Sequence, residues 1–89
     1  VDFDFDPIKS DRILAERGFD FAYATRVFEG RVVSFIDDRR GYGEVRMVAI
    51  GEIDGRLFTV VYTDREGIRR IISAHRASRQ ESRTWRQSE

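Results

Sequence analysis

Up to Gly30 the apolar residues recur at helical spacing; beyond it they alternate or run together, as they do in strands. Asp6 followed by Pro7 sets an N-cap ahead of a proline at the first helical position, and Gly18 suits the position just past a helix end. These signals predict a helix over about residues 7–17. Asp20 caps a second helical stretch in which Phe21, Ala24 and Phe28 form an apolar stripe ending at Gly30.

The segments "RVVSFI", "EVRMVAIGEI", "RLFTVVYT" and "IRRIISA" read as four strands, with "DDRRGYG" as the loop between the first two. Asp54-Gly55 signals a two-residue hairpin. A type I′ turn there pairs Ile53 with Arg56, Ala49 with Val60, Met47 with Tyr62 and Arg46 with Thr63. One face then carries Met47, Ala49, Phe58, Val60 and Tyr62 toward the helices, and the other carries Arg46, Val48, Ile50, Thr59, Val61 and Thr63. The hairpin through "TDREGI" admits four or five loop residues. A one-residue slip turns every side chain over, so His75 can extend from either side of the sheet. Ser78, three residues before Glu81, has capping-box spacing and starts a C-terminal helix on which Arg79, Arg83 and Arg86 make one basic stripe. The expectation is one α+β domain over residues 1–89: two N-terminal helices, an antiparallel sheet of about four strands and a C-terminal helix.

The formal net charge is zero, which argues against a simple polycation that coats nucleic acid. The charges are nonetheless polarised: residues 1–20 hold six acids against three bases, and residues 65–86 hold seven arginines against Glu66 and Glu81. Fifteen of the sixteen bases are arginine, whose planar fork of donors matches phosphate oxygens better than an ammonium does. With no cysteine, disulfides and thiolate metal sites are excluded, and a single histidine argues against a histidine-based zinc site, so no metal or cofactor is expected. The absence of a long apolar run or a signal-like start leads to the expectation of a soluble, unprocessed, cytoplasmic chain without a membrane partner.

The arginines point to phosphodiester chemistry. RNA can be cleaved without a metal when its own 2′-hydroxyl attacks, a base removes the proton, and cations stabilise charge on the phosphate. Arg46, Arg65, Arg69, Arg70, Arg76 and Arg79 are candidate cations. His75 has the reference pKa best suited to proton transfer, with Glu44 or Asp64 as other candidate bases. The ordinary alternatives are a hydrogen-bonded histidine at a strand end and a solvated arginine stripe. No Gly-rich phosphate loop or Ser-His-Asp set is present.

The ordered set "FDFDPIKSDRILAERGFDFAYATRVFEG", "YGEVRMVAIG" and "LFTVVYTDREGIRRIISAHRAS" resembles the BrnT toxins of bacterial type II toxin–antitoxin systems. The resemblance implies a RelE-type layout of helices on an antiparallel sheet, and metal-independent RNA cleavage that inhibits translation and growth. It also implies a cognate BrnA-like antitoxin with a ribbon-helix-helix part, which reaches operator DNA and represses the shared operon together with the toxin. Lys9, Glu44, Arg46, Thr63, Arg65, Arg70, Ser73 and Arg76 keep the family pattern. The chain departs from it at Glu16-Arg17-Gly18, where the family reads Lys-His-Gly, and at His75, which stands where an arginine is common.

The resulting assignment has Arg46, Arg65 and Arg76 gripping the scissile phosphate, with Glu44 or His75 assisting proton transfer. Lys9, Arg69, Arg70, Arg79 and Arg83 bind RNA. The alternatives are a non-catalytic, arginine-rich module that binds RNA or protein, and a role in assembly in which the basic C-terminal region docks an acidic antitoxin segment.

Overall fold

In the computed structural model, which describes residues 1–38 and 43–88, the capping signals are realised in hydrogen bonds. Asp6 accepts from the Ile8 N–H at 3.0 Å and starts helix α1 (Pro7–Arg17), which ends at Gly18 in the left-handed region. Asp20 accepts from the Tyr23 N–H at 2.8 Å and starts α2 (Phe21–Ala24). The second helix is therefore shorter than expected, a single turn that tightens into a 3-10 segment, Thr25–Glu29.

The sheet has five strands in the order β1-β5-β4-β3-β2: β1 (Asp2–Asp4), β2 (Val32–Asp37), β3 (Arg46–Ile53), β4 (Arg56–Arg65) and β5 (Ile68–Arg76). The α+β class is as expected, but the sheet is mixed and has one strand more than the sequence suggested. The five-stranded sheet and the broken second helix differ from the RelE-type layout that the resemblance implied. The extra strand, β1, is three residues long and runs parallel to β5, with Phe3 opposite Arg69. Pairing with a strand so distant in sequence leaves no local signature. The loop expected over 37–43 begins only after Asp37, which closes β2, and its residues 39–42 lie outside the described residues.

Asp54 and Gly55 both take positive φ, 51° and 82°, as a type I′ turn requires, and the expected pairs Ile53–Arg56, Ala49–Val60 and Met47–Tyr62 form. The paired register ends at Met47–Tyr62, and beyond it the Thr63 hydroxyl donates to the Val45 carbonyl at 2.8 Å. The next hairpin corrects the four- or five-residue loop. Its turn is the two residues Glu66 and Gly67, at φ 54° and 80°, with Arg65 opposite Ile68. Farther along, Val61 pairs with Ser73 but Tyr62 pairs with Ile71, so Ile72 is an extra residue in a β-bulge. The bulge brings both Ile71 and Ala74 onto the helix side.

On that side Ile13, Phe19, Phe21, Ala24 and Val27 close over Ala49, Ile53, Phe58, Val60, Tyr62, Ile71 and Ala74 in one core. Edge-on aromatic pairs knit the layers, Phe19 with Phe58 at 5.0 Å and Phe28 with Tyr62 at 5.2 Å between centroids. Helix α3 (Arg79–Gln87) starts at Ser78 with the expected capping box and packs against β3 and β2. The buried Val48, Ile50 and Val61 point away from the core by strand alternation, which gives the sheet a second, smaller apolar surface.

Gly51 sits where the 3-10 segment meets the sheet. A Cβ added there would lie 2.9 Å from Val27 Cβ and 3.1 Å from the Val27 carbonyl oxygen. Gly51→Ala is expected to destabilise the fold by about 1–3 kcal/mol through overpacking against backbone. The check is a lowered urea midpoint with an unchanged m-value.

Candidate functional site

The turn and the bulge together decide which face each β5 residue serves. His75 lies opposite Thr59 and Arg70 opposite Thr63, so both belong to the far face, away from α1 and α2. Strand alternation puts Ser73, Thr63, Arg65 and Arg46 on the same face. Glu44, just before β3, joins them by lining a groove of about 310 Å³ with Gly43, Val45, Thr63, Asp64 and Arg65.

Arg76 is not part of this group. It pairs with Phe58, and its guanidinium stands 5.6 Å from the Phe58 ring on the helix side. There it lines a separate cleft of about 460 Å³ with Arg17, Arg56 and Tyr23. The expected clamp of Arg46, Arg65 and Arg76 is thus divided by the sheet. Consecutive strand residues point to opposite faces, so His75 and Arg76 could not both have served one site.

Arg69 is likewise on the helix side. It lies 4.4 Å from the Tyr62 ring centroid and 4.6 Å from that of Phe28, and it forms a two-pronged bond to Asp64 at 2.8 and 2.9 Å. The Arg69 hydrogen bond outweighs burial and holds the Asp64 carboxyl below its usual range. The same bond raises the Arg69 pKa. Any phosphate at Arg69 must compete with a well-placed carboxylate. Arg70, on the far face, pairs with Asp4 of β1. Arg65 is exposed and makes no ion pair among the described residues. Lys9 is half-buried on α1, in the helix layer. Arg79 and Arg83 line a hollow on α3 with Ala77, Ser82 and Arg86, and both are exposed.

Glu81 has a function beyond helix capping. Its Oε1 accepts from the Ser78 N–H at 2.8 Å, and the two carboxylate oxygens lie 3.1 and 3.2 Å from His75 Nε2. A carboxylate facing Nε2 favours the tautomer that carries its proton there. Burial acts to raise the Glu81 pKa, but the Ser78 N–H, the charge and hydrogen bond of His75, and the Thr59 hydroxyl outweigh it and lower the pKa overall. Beside this pair a second groove, also about 310 Å³, is lined by Phe35, Ile36, Asp37, Asp38, Val48, Thr59, Val61, His75 and Glu81. Phe35, Asp37 and Thr59 were not singled out from the sequence as site residues. The β2–β3 register, with Phe35 opposite Val48 and Asp37 opposite Arg46, is what brings β2 into the site. Among the described residues no group of three or more histidine, cysteine, aspartate or glutamate side chains is placed to hold a metal ion.

The class defined by this fold and face is a small α+β protein with an arginine-lined sheet surface beside a histidine–carboxylate pair. A profile of the family described as the ribonuclease toxin BrnT of type II toxin–antitoxin systems matches residues 5–81, and the chain belongs to that family. It is a ribonuclease-toxin family whose members act with a cognate antitoxin. No curated protein matches the chain.

A carboxylate whose folded-state pKa is depressed adds stability above its unfolded value and loses it as pH falls through the folded value. Both Glu81 and Asp64 are depressed, so stability is expected to hold above about pH 4.5 and to decline below it. Glu81→Gln keeps the capping geometry but removes the charge. Urea titrations across this range should show the variant less stable at neutral pH, with a shallower acid decline.

Proposed function

We propose that this chain cleaves RNA on the far face of its sheet without a metal ion, and thereby inhibits translation and growth. The observation that carries the reading is the groove that Glu44, Thr63 and Arg65 line together, with Arg46 on the same face of β3 by strand alternation. Arg46 and Arg65 hold the scissile phosphate and offset the charge that builds on its oxygens. Glu44 removes the proton of the 2′-hydroxyl, whose oxygen attacks phosphorus. The 5′-oxygen departs and takes up a proton, leaving a 2′,3′-cyclic phosphate and a 5′-hydroxyl end.

His75 is set apart from this centre by strand geometry. Its partner Thr59 precedes Thr63 by four residues, roughly 13 Å along β4. Glu44, beside Arg65 and Thr63, is therefore the better-placed base. Arg70 and Arg79 extend the basic surface that receives the RNA backbone.

A cognate antitoxin neutralises the toxin, and its ribbon-helix-helix part carries the complex to operator DNA to repress the operon. The exposed face of Arg79, Arg83 and Arg86 suits an acidic antitoxin segment. The chain acts in the cytoplasm; among the described residues no helix is long and apolar enough to cross a membrane.

Purified, antitoxin-free protein is expected to cleave RNA equally with and without EDTA, and to leave a substrate with 2′-deoxyribose at the scissile position intact. Arg65→Ala and Glu44→Gln should each lower the cleavage rate by about 10²-fold or more, with Arg76→Ala far milder. Binding of RNA with a steep salt dependence but without cleavage would instead identify a non-catalytic module.

Charge reversal at Arg79 and Arg83 is expected to weaken antitoxin binding in a salt-dependent way, measured by calorimetry. Unimpaired binding would place the interface elsewhere.

A further inference from the structure

The groove beside His75 has a different chemical character from the arginine end of the same face. Its floor is apolar, formed by Val48 and Val61, and one wall is Phe35, a residue 43% exposed on an edge strand. Three carboxylate residues, Asp37, Asp38 and Glu81, stand around it. Such a lining disfavours a phosphate and favours an uncharged, flat group that offers N–H donors. At about 310 Å³ the groove falls at the small end of the range of ligand sites, about 300–1,000 Å³.

A buried polar atom also points to a ligand. Thr59 is 1% exposed, and its hydroxyl makes no hydrogen bond of good geometry among the described residues, although it lies near enough to Glu81 to favour the ionised carboxylate. The His75 ring is fixed through Nε2, and its Nδ1 makes no hydrogen bond among the described residues. His75 Nδ1, the Thr59 hydroxyl and the Asp38 carboxylate can therefore all address the edge of one planar ligand.

We propose that this groove receives a single unpaired base of the RNA, stacked on Phe35, and selects bases that carry an exocyclic amino group over uracil. The proposal rests on the ribonuclease reading of the far face. Phe35 pairs with Val48, two residues along β3 from Arg46, so a base seated there lies roughly 7 Å along the strand from that arginine, about the reach of one nucleotide. Carboxylates accept readily from amino groups of bases, and uracil has none. Unpaired bases held between an aromatic ring and hydrogen-bonding side chains are the usual means of reading single-stranded RNA.

The test measures binding of short, non-cleavable 2′-O-methyl oligomers of adenosine, cytidine and uridine, alongside cleavage of a mixed-sequence RNA. The native protein is expected to bind the adenosine or cytidine oligomer at least about tenfold more tightly than the uridine one, an effect of the size that hydrogen bonds to a base edge supply once stacking has seated the base. Phe35→Ala should remove most of that difference, Phe35→Tyr should restore it, and Asp38→Asn should reduce it. Equal affinity for all three oligomers, or a preference untouched by Phe35→Ala, while the mixed RNA is still cleaved, would overturn the base site alone. Absence of cleavage of any RNA would overturn the reading on which it rests.

Discussion

One carboxylate ties the end of the sheet to the start of the last helix. Glu81 accepts from the Ser78 backbone and from His75, so the capping of α3 and the orientation of the imidazole are a single arrangement. Because α3 begins where Glu81 fixes it, it lies across β3 and β2 and covers an apolar surface that would otherwise face water. The other end of the helix is fastened by Arg31, which stacks 3.9 Å from the Trp85 ring centroid and donates to the Trp85 carbonyl at 3.0 Å. These two attachments set the place of the helix, and Glu81 on it closes one side of the groove beside His75.

The sheet divides the arginines between structural and surface roles. Arg69 and Arg76 lie against aromatic rings on the core side, where the guanidinium face contributes packing as well as charge. Arg17 donates to the Ala74 carbonyl at 2.6 Å, on the stretch of β5 that the short β1 does not reach. Arg26 and the Tyr23 hydroxyl both reach Asp54, joining the 3-10 segment to the hairpin turn. The surplus of arginine in the sequence is therefore only partly a phosphate-binding surplus.

Much of this was legible in the sequence where the cause is local. The caps at Asp6, Asp20 and Ser78, the turn at Asp54-Gly55 and the split of β3 and β4 into two faces all depend on residues a few positions apart. What escaped detection depends on distant partners or on one irregular residue. β1 needs β5 to exist, and the face of His75 depends on a two-residue turn followed by a bulge at Ile72. The membership of Phe35 in a groove depends on how β2 lies against β3. By contrast, the separation of His75 from Arg76 needed only the period of two within a strand.

The main core draws on α1, α2, the 3-10 segment and the three inner strands, and contains no residue of α3. With none of its residues in that core, α3 can open locally without the core coming apart. One wall of the groove belongs to a helix that stands outside the main core, so its occupancy and the ordering of that helix are thermodynamically linked.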